Sequence, residues 1–581
     1  MSIDIETYRL KAQEAIGYVF VKEYHNSLGI PMPIVKMLLP DDANYSTGQY
    51  YITIDKTWQI HLNFGKLPIS YHEFQNEVKV LTRHEIEHYM CCPFDVITHF
   101  RMLKRIRDVY YKHFSHLGIN IKYACGAISN QAADIIVDTK NYYRHSKETL
   151  KSEIDWIKIG ANISACPRHC KLMFLTKEAI WKEDLGINET DPEFLKIVHQ
   201  LADSFTKNGI EDKSSFLDKV EEYAEIFFKL YVEDQKNPQQ SSQQGSQQQS
   251  GQQGPQQQSG QQGSQQQSGQ QGSQQQSGQW GVGRPKDGDE HGNAFVFADP
   301  DKVKEAIEVL AEETSVEEFI DLLAIAGIIG MSDKQKGVLW FNVQSANIIP
   351  IVEFSNTGNK SSYTYPSVWR IGDPIEELDL MLTYMTSPRL IPGMTTKKWE
   401  YVSNDDNGTE SKQMDLLLVV DTSGSMGSAM KESANMHQAV LASYGILSYF
   451  ESTKSKVAFI GFSDKIDAYV DWSDKYDDVR ERLLTNGHGG TKFPISRIKS
   501  TLDVRSRDLV TVLITDGDLG NINESVSYFR DYLNDDNKLY IFLLGGSKSL
   551  HSYEPLKNIG AKIYNANNAN EFCDMVLTDM E

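Results

Sequence analysis

The chain contains a nine-residue repeat that offers almost nothing to bury. The unit "GSQQQSGQQ" begins four times from Gly245 to Gly272, with Pro255 replacing Ser in the second copy. Gln, Ser and Gly cannot offset the entropy cost of ordering such a tract, so residues 238–280 are predicted to be a disordered linker. A self-associating Gln-rich tract is the alternative, although Gly and Ser interrupt every Gln run. The rest of the chain must therefore fold on either side of this segment.

Length and charge limit the class of protein. A chain of 581 residues is too long to fold around a single hydrophobic core, so several domains are predicted. Acidic residues outnumber basic ones, 79 to 58, so the chain lacks the basic footprint of a protein that binds nucleic acid or an anionic membrane. With no signal-peptide pattern, no long apolar run and no paired cysteine framework, we expect a soluble cytoplasmic protein with protein or small-molecule partners.

Apolar strands and amphipathic helices alternate regularly after residue 412. The strand-like segments include "DLLLVVD", "KVAFIGF", "DLVTVLITD" and "KLYIFLLGG", with helical patterns in between. Continuous apolar strands are typical of a parallel sheet that is covered on both faces. Residues 412–581 are therefore predicted to form a doubly wound α/β domain.

Oxygen-bearing side chains cluster where the first of these strands ends. Asp421, Ser423 and Ser425 stand in "DTSGSM", and their carboxylate and hydroxyl oxygens suit Mg²⁺. Ligands of such sheets bind at the carboxyl ends of the strands. Thr491, after the glycines of "GHGGT", and Asp516, at the end of "TVLITDGD", are expected in the same crevice.

This pattern resembles the metal-ion-dependent adhesion site of a von Willebrand factor A domain, over residues 412–581. The resemblance implies that the first four residues named above hold Mg²⁺ directly or through water, with Asp516 acting mainly through water. It also implies that a partner protein's Asp or Glu fills the remaining coordination position. In the alternative without a metal, Asp421 merely caps a helix and Thr491 lies in an ordinary loop.

A second candidate metal site stands in "VLTRHEIEHYMCC", where His84, Glu85 and His88 spell H-E-x-x-H. On a helix the two His lie one turn apart on one face and can share a Zn²⁺, while Glu85 is placed to act as a general base. The preceding "YYITIDKTWQIHLNF" predicts a strand pair, with "QIHLNF" as the edge strand along which a substrate peptide aligns. Residues 1–237 are thus predicted to be a mainly helical domain with a small sheet. A surface helix with solvated His and Glu is the alternative.

The third ligand is expected in "SNQAADIIVDTKNYY", where Asn130, Asp134 and Asp138 share one helical face. This arrangement resembles gluzincin metallopeptidases, whose second helix carries a Glu ligand followed four residues later by an orienting Asp. The resemblance implies that Asp134 is the third zinc ligand and that Asp138 orients His84. Here Asp replaces Glu at the ligand position, which shortens its reach by one methylene.

Two further groups in the first half carry alternatives. The first group follows the expected ligand helix and could donate hydrogen bonds to an oxyanion or simply pack: Tyr142, Tyr143 and His145. The second group could bind a second, structural zinc, and in the alternative its cysteines are inert thiols: Cys91, Cys92, Cys125, Cys166, His169 and Cys170.

The region 281–411 is predicted to be an accessory α+β region, with strand-like "GVLWFNV", "IIPIVEF" and "SSYTYP". The whole architecture resembles bacterial and phage proteins that are classed as metallopeptidases and are often found with MoxR-type AAA+ ATPases. We therefore expect a zinc metallopeptidase acting on a peptide or protein substrate, with a von Willebrand A domain that recruits a partner protein. The alternative is an adaptor that couples such an ATPase to a target. The chain has no G-x-x-x-x-G-K-[ST], so ATP hydrolysis must come from the partner.

Overall fold

The structure is a computed structural model. It describes residues 4–25, 32, 34–38, 50–54, 59–64, 70–160, 163–236, 300–328, 331–346, 363–369, 397–402, 414–505, 508–517, 519–544 and 550–566. The predicted linker 238–280 lies outside these residues, as does much of the region 281–411. The chain packs as two compact units. The first comprises Met1–Thr314 with Glu318–Gly330, and the second comprises Ser315–Glu317 with Met331–Glu581. The four-part division predicted above stays a prediction.

The first unit is mainly helical, as expected. Its helices are α1 (Ile5–Tyr18), α2 (Tyr71–Met90), α3 (Val96–Val109), α4 (Ile121–Gly160), α5 (Arg168–Trp181), α6 (Pro192–Thr206), α7 (Phe216–Lys236), α8 (Pro300–Glu312) and α9 (Val316–Ile325). None of the described helices in either unit combines the length and the apolar run needed to cross a bilayer.

In the described part of the first unit, three strands form a small sheet: β1 (Ile34–Met37), β2 (Tyr50–Ile54) and β3 (Gln59–Phe64). The predicted pair is present, but "QIHLNF" is the central strand, since β3 pairs with β1 in parallel and with β2 in antiparallel orientation. The prediction of an edge strand there is wrong because β1, a four-residue strand directly after Pro33, was not recognised.

The H-E-x-x-H segment lies on α2, which begins with a capping box. Ser70 accepts a hydrogen bond from the Glu73 amide at 3.3 Å, and its hydroxyl donates to the Glu73 carboxylate at 2.7 Å. The helix ends at Met90, just before Pro93, which cannot continue it. Its buried face combines apolar and charged groups: Phe74, Val78, Thr82, Arg83, Ile86 and Glu87.

Buried ion pairs fix α2 against α4. Glu87 is fully buried, and its carboxylate lies 2.8 Å from Lys140 Nζ and 2.9 Å from Arg144 Nη1. One turn earlier, the buried Arg83 pairs with Glu148 of α4 and, at 2.6 Å, with a glutamate that follows α1. Since removing one partner would leave an uncompensated buried charge, these pairs specify how the two helices meet.

Within its described residues, the second unit contains a six-stranded sheet and five helices beyond α10 (Asp333–Ala346). Its strands are β6 (Asp415–Asp421), β7 (Val457–Phe462), β8 (Ile466–Ser473), β9 (Leu509–Thr515), β10 (Lys538–Leu544) and β11 (Lys562–Ala566). The helices are α11 (Asn435–Ser452), α12 (Tyr476–Leu483), α13 (Ile495–Leu502), α14 (Val526–Asn534) and α15 (Leu550–Lys557). A separate antiparallel pair joins β4 (Tyr363–Val368) and β5 (Lys397–Val402).

The strand order of the large sheet is β8-β7-β6-β9-β10-β11, which is the doubly wound order 3-2-1-4-5-6. All pairings are parallel except that of β7 with β8, which are separated by three residues and form a hairpin. Every residue of β7 and β9 is buried, so both faces of the sheet are covered. The chain leaves β6 toward one side and β9 toward the other, which places the switch point between these two strands.

The segment "GVLWFNV", predicted as a strand, is instead part of α10. Its buried residues Gly337, Trp340 and Phe341 recur at helical spacing, a pattern that the short apolar run conceals. Both aromatic rings pack on His437 of α11, at centroid distances of 5.3 and 5.2 Å. A helix is favoured over a strand here because it places both aromatic rings on the one face of α10 that packs against α11.

Candidate functional site

Four side chains predicted from the sequence converge between α2 and α4. His84 Nε2 and His88 Nε2 lie 3.0 Å apart. Asp134 Oδ1 lies 3.6 Å from the first nitrogen and 3.2 Å from the second. Asp138 Oδ1 lies 2.7 Å from the other ring nitrogen of His84, Nδ1. The helical spacings thus bring together the residues they were expected to bring together.

The hydrogen bonds at Nδ1 define the state of each imidazole. Nδ1 of His84 faces the Asp138 carboxylate, and Nδ1 of His88 lies 2.9 Å from the carbonyl oxygen of Cys92. A carboxylate and a carbonyl only accept, so each Nδ1 carries the proton. In the neutral rings both Nε2 atoms are therefore acceptors, and they point at each other.

Asp134 adds a third acceptor to this pair. Its Oδ2 accepts a hydrogen bond from Asn130 at 2.9 Å, whereas its Oδ1 is buried and has no hydrogen-bond partner. Three converging acceptors require a proton or a cation between them. A tetrahedral Zn²⁺ with bonds of about 2.0–2.1 Å would set its ligands about 3.3 Å apart, close to the spacings of these three atoms. The donor set fits zinc, and the shorter Asp side chain reaches the histidines.

Charged groups behind His84 hold it in place. Lys177 of α5, 2% exposed, donates to Asp138 Oδ2 at 2.5 Å and to Glu153 Oε1 at 2.9 Å. Burial alone would raise the pKa of Asp138, but Lys177 and His84 hold it well below its usual range. Burial lowers the pKa of His84, and the carboxylates of Asp138 and Asp134 outweigh it and raise this pKa to about 10. In the metal-free protein a proton thus satisfies the acceptors.

The remaining predicted residues of this site have different surroundings. Glu85 follows the first His and is partly exposed, as a group that meets a substrate must be. Tyr142 stacks on Trp181 at 4.7 Å and donates to Glu183 at 2.9 Å, while Tyr143 is 59% exposed. Tyr142 is thus engaged in packing and in a hydrogen bond of its own, and its proposed oxyanion role stays a prediction.

The cysteine-rich alternative gains no support from the described part of the chain. None of the five described cysteines forms a disulfide, and burial raises the pKa of each of them. Among the described residues, one group of at least three His, Cys, Asp or Glu side chains brings its ligand atoms within 4.8 Å of one another, and it consists of His84, His88 and Asp134.

A second cluster lies at the switch point of the large sheet. The hydroxyls of Ser423 and Ser425 are 3.1 Å apart, and Ser425 donates to Asp516 Oδ1 at 2.9 Å. Asp421 ends β6 and is fully buried, and its Oδ1 accepts a hydrogen bond from the Ser423 amide at 2.8 Å. Burial, together with the nearby Asp516, raises the pKa of Asp421. Four of the five predicted residues therefore meet at the carboxyl ends of neighbouring strands.

Two residues complete this second cluster and were not anticipated. Thr515 donates to Asp421 Oδ2 at 2.7 Å, and Asn435 donates to Asp516 Oδ2 at 3.1 Å. The position of Thr515 beside Asp516 at the end of an apolar strand is the signal that identifies it. Thr491, the fifth predicted residue, lies two residues after Gly489, whose carbonyl accepts a hydrogen bond from the Gly424 amide at 3.3 Å. The loop thus lies beside the cluster, and the role of Thr491 as a ligand stays a prediction.

Comparisons with known proteins identify no family for this chain. No family model matches it, and no curated protein matches it. Among solved structures it is similar to a von Willebrand factor type A protein from Catenulispora acidiphila, with 10% identity and a TM-score of 0.23. The match covers 31% of this chain and 43% of that one, less than half of either.

Proposed function

We propose that the first unit is a zinc-dependent metallopeptidase and that His84, His88 and Asp134 hold the metal. The observation that supports this most directly is the buried Asp134 Oδ1, which has no hydrogen-bond partner and lies 3.6 and 3.2 Å from the Nε2 atoms of His84 and His88. A buried acceptor without a donor costs free energy, and a divalent cation is the group that would satisfy all three atoms together.

When bound by His84, His88 and Asp134, Zn²⁺ would supply Lewis-acid chemistry for the hydrolysis of a peptide bond. Glu85 accepts the proton of the attacking water and passes it to the leaving amine. Asp138 keeps the Nδ1 proton of His84 in place, so that Nε2 presents its lone pair. Lys177 keeps Asp138 ionised and correctly oriented. His84, His88 and Asp134 would supply the three protein ligands that a catalytic zinc site uses.

The test compares Glu85→Gln with His84→Ala in the full-length protein. Peptide hydrolysis by the wild type on an unstructured protein such as casein should fall by at least about a hundredfold in Glu85→Gln, because a general base contributes about 10²–10⁴. Zinc content should persist in Glu85→Gln and fall in His84→Ala. Hydrolysis that persists unchanged in Glu85→Gln would rule out this mechanism, and full zinc content in His84→Ala would rule out the site.

We further propose that the second unit binds Mg²⁺ and recruits a partner protein through that partner's carboxylate. The supporting observation is the group of hydroxyls and carboxylates of Asp421, Ser423, Ser425 and Asp516 at the switch point, the ligand types that Mg²⁺ prefers. In an adaptor role, the partner is a MoxR-type AAA+ ATPase that the chain couples to a target protein.

This second role is tested by capture of a MoxR-type ATPase on the immobilised full-length protein in Mg²⁺. Capture should require Mg²⁺ and should be lost in Asp421→Ala. The matched control is Asp535→Ala, an exposed carboxylate after α14 that removes the same charge. Equal capture by Asp421→Ala and by the wild type would contradict recruitment through the metal.

A further inference from the structure

Two helices follow the Gln-rich segment, and the first unit contains α8 and the part of α9 from Glu318 onward. Together we name them the docking hairpin, residues 300–325. They are short, at 13 and 10 residues, and helices of this length are marginal in water on their own. Several of their apolar side chains are nevertheless fully or almost fully buried: Ala306, Leu310, Ala311, Phe319, Leu322 and Leu323. The hairpin is therefore stabilised by packing against another element.

That element is α3, which contacts α8 and presents a row of basic side chains. Arg101, Lys104 and Arg107 recur every three residues along one face of α3. Arg101 forms a two-pronged pair with Glu313, with Nε at 3.1 Å from Oε2. Lys104 Nζ lies 3.4 Å from Glu318 Oε1.

Arg107 is the most buried member of this row. Its two terminal nitrogens lie 3.2 Å from Glu318 Oε1 and 2.8 Å from Asp321 Oδ2. The guanidinium also stacks on the Tyr111 ring, 4.6 Å from its centroid. Only 11% of the Arg107 side chain is exposed, and its remaining carboxylate contact is with Asp108 Oδ1 of α3 at 3.8 Å. Removing the two hairpin carboxylates would leave this largely buried cation with that single, longer contact.

We propose that the docking hairpin stays bound to α3 by these contacts alone, without the covalent connection through the Gln-rich segment. The segment 237–299 then begins and ends on the first unit, because α7 precedes it and α8 follows it. This inference does not depend on either metal site.

The experiment places the recognition site of a sequence-specific protease between Gln262 and Gly263 of the full-length chain. After complete cleavage, the two fragments should still co-elute in gel filtration under native conditions. The Arg101→Glu, Arg107→Glu double variant should lose co-elution after cleavage, with fragment affinity at least about tenfold weaker, since like charges then face each other. Before cleavage the double variant should elute like the wild type, which shows that it is folded.

Two further variants distinguish docking from other causes. Arg105→Glu makes the same charge change on the same helix, but Arg105 pairs with Glu221 of α7, before the cleavage site, so co-elution should survive. Exchanging the charges of one pair, Arg101→Glu with Glu313→Arg, should restore at least part of the affinity that Arg101→Glu loses. Separation of the wild-type fragments, or co-elution of the double variant as strong as that of the wild type, would overturn the proposal.

Discussion

The two candidate metal sites of this chain differ in how their acceptors are satisfied. Between α2 and α4, the Nε2 atoms of two imidazoles share one hydrogen bond, and the buried Asp134 oxygen that faces them has no hydrogen-bond partner. At the carboxyl ends of β6 and β9, the carboxylates of Asp421 and Asp516 already accept hydrogen bonds from neighbouring amide, hydroxyl and side-chain amide groups. The first cluster therefore needs a cation or a proton, whereas the second is satisfied without one.

This difference predicts that the metal contributes to the stability of the first unit far more than to that of the second. A site built from converging acceptors stores electrostatic repulsion that only a bound charge relieves. When the oxygens of a site are already hydrogen-bonded to one another and to their neighbours, a bound ion adds little to the unfolding free energy. The experiments below test this contrast, from the largest expected effect to the smallest.

Replacing Lys177 with Met should have the largest effect. Asp138 and Glu153 would both lose their buried cation, and breaking a buried pair costs about 3–5 kcal/mol of unfolding free energy. Urea unfolding, monitored by hydrogen exchange in peptides from α4 and α5, measures the loss. The control is Lys151→Met, which breaks a pair with Asp155 that is about half exposed and should cost about 0.5 kcal/mol or less. Equal effects of the two variants would contradict the charge network.

Removing zinc should destabilise the first unit selectively. At a free zinc concentration of a hundred times Kd, the ion adds about 2.7 kcal/mol to the unfolding free energy, and a chelator removes this contribution. If free Mg²⁺ is present at a concentration near its Kd, removing it should lower the unfolding free energy of the second unit by about 0.4 kcal/mol. Hydrogen exchange, which reports on each unit separately, checks both values. A second unit that loses as much protection as the first would remove the contrast between the sites.

Asp138→Asn should weaken zinc binding without abolishing it. An amide can no longer fix the His84 tautomer as a carboxylate does, and losing such a partner typically lowers metal affinity about 10–100-fold. Competition with a fluorescent zinc indicator measures the change. Unchanged affinity would show that Asp138 does not orient His84.

The metal-free protein should lose stability as the pH rises from about 6.5 to 10. The folded pKa of His84 is raised to about 10, above its ordinary value of 6.5. Its contribution is therefore fully present below pH 6.5 and disappears as the pH rises through the folded value. Zinc-loaded protein should not show this loss, because the metal replaces the proton. Urea titrations across this range, with and without zinc, test the sign.

Ser425→Ala should lower the stability of the second unit only modestly. Ser425 is exposed, and its hydroxyl donates one hydrogen bond to Asp516, so we expect a loss of about 0.5–1.5 kcal/mol in the second unit. Mg²⁺ affinity, measured by calorimetry, should fall at the same time. A larger destabilisation with intact Mg²⁺ binding would mean that the cluster is structural.

Local periodicity predicted much of both sites. The i, i+4 spacings that place His84 near His88 and Asp134 near Asp138 are properties of single helices, and apolar strands located Asp421 and Asp516. Lys177 and Glu153 were missed because they meet Asp138 through the packing of separate helical segments, which no local pattern reports. "GVLWFNV" was misread because a short apolar run does not distinguish a buried helix from a strand. The central position of β3 depended on a strand too short to be recognised.

The zinc content of the purified protein tests the account most directly. We expect about one Zn²⁺ per chain in the wild type and close to none in His88→Ala, since two remaining protein ligands cannot hold the ion. The matched control His72→Ala removes an exposed His from the same helix and should keep the metal. Zinc retained by His88→Ala at the wild-type level, or absent from a wild type supplied with zinc, would contradict the proposed centre.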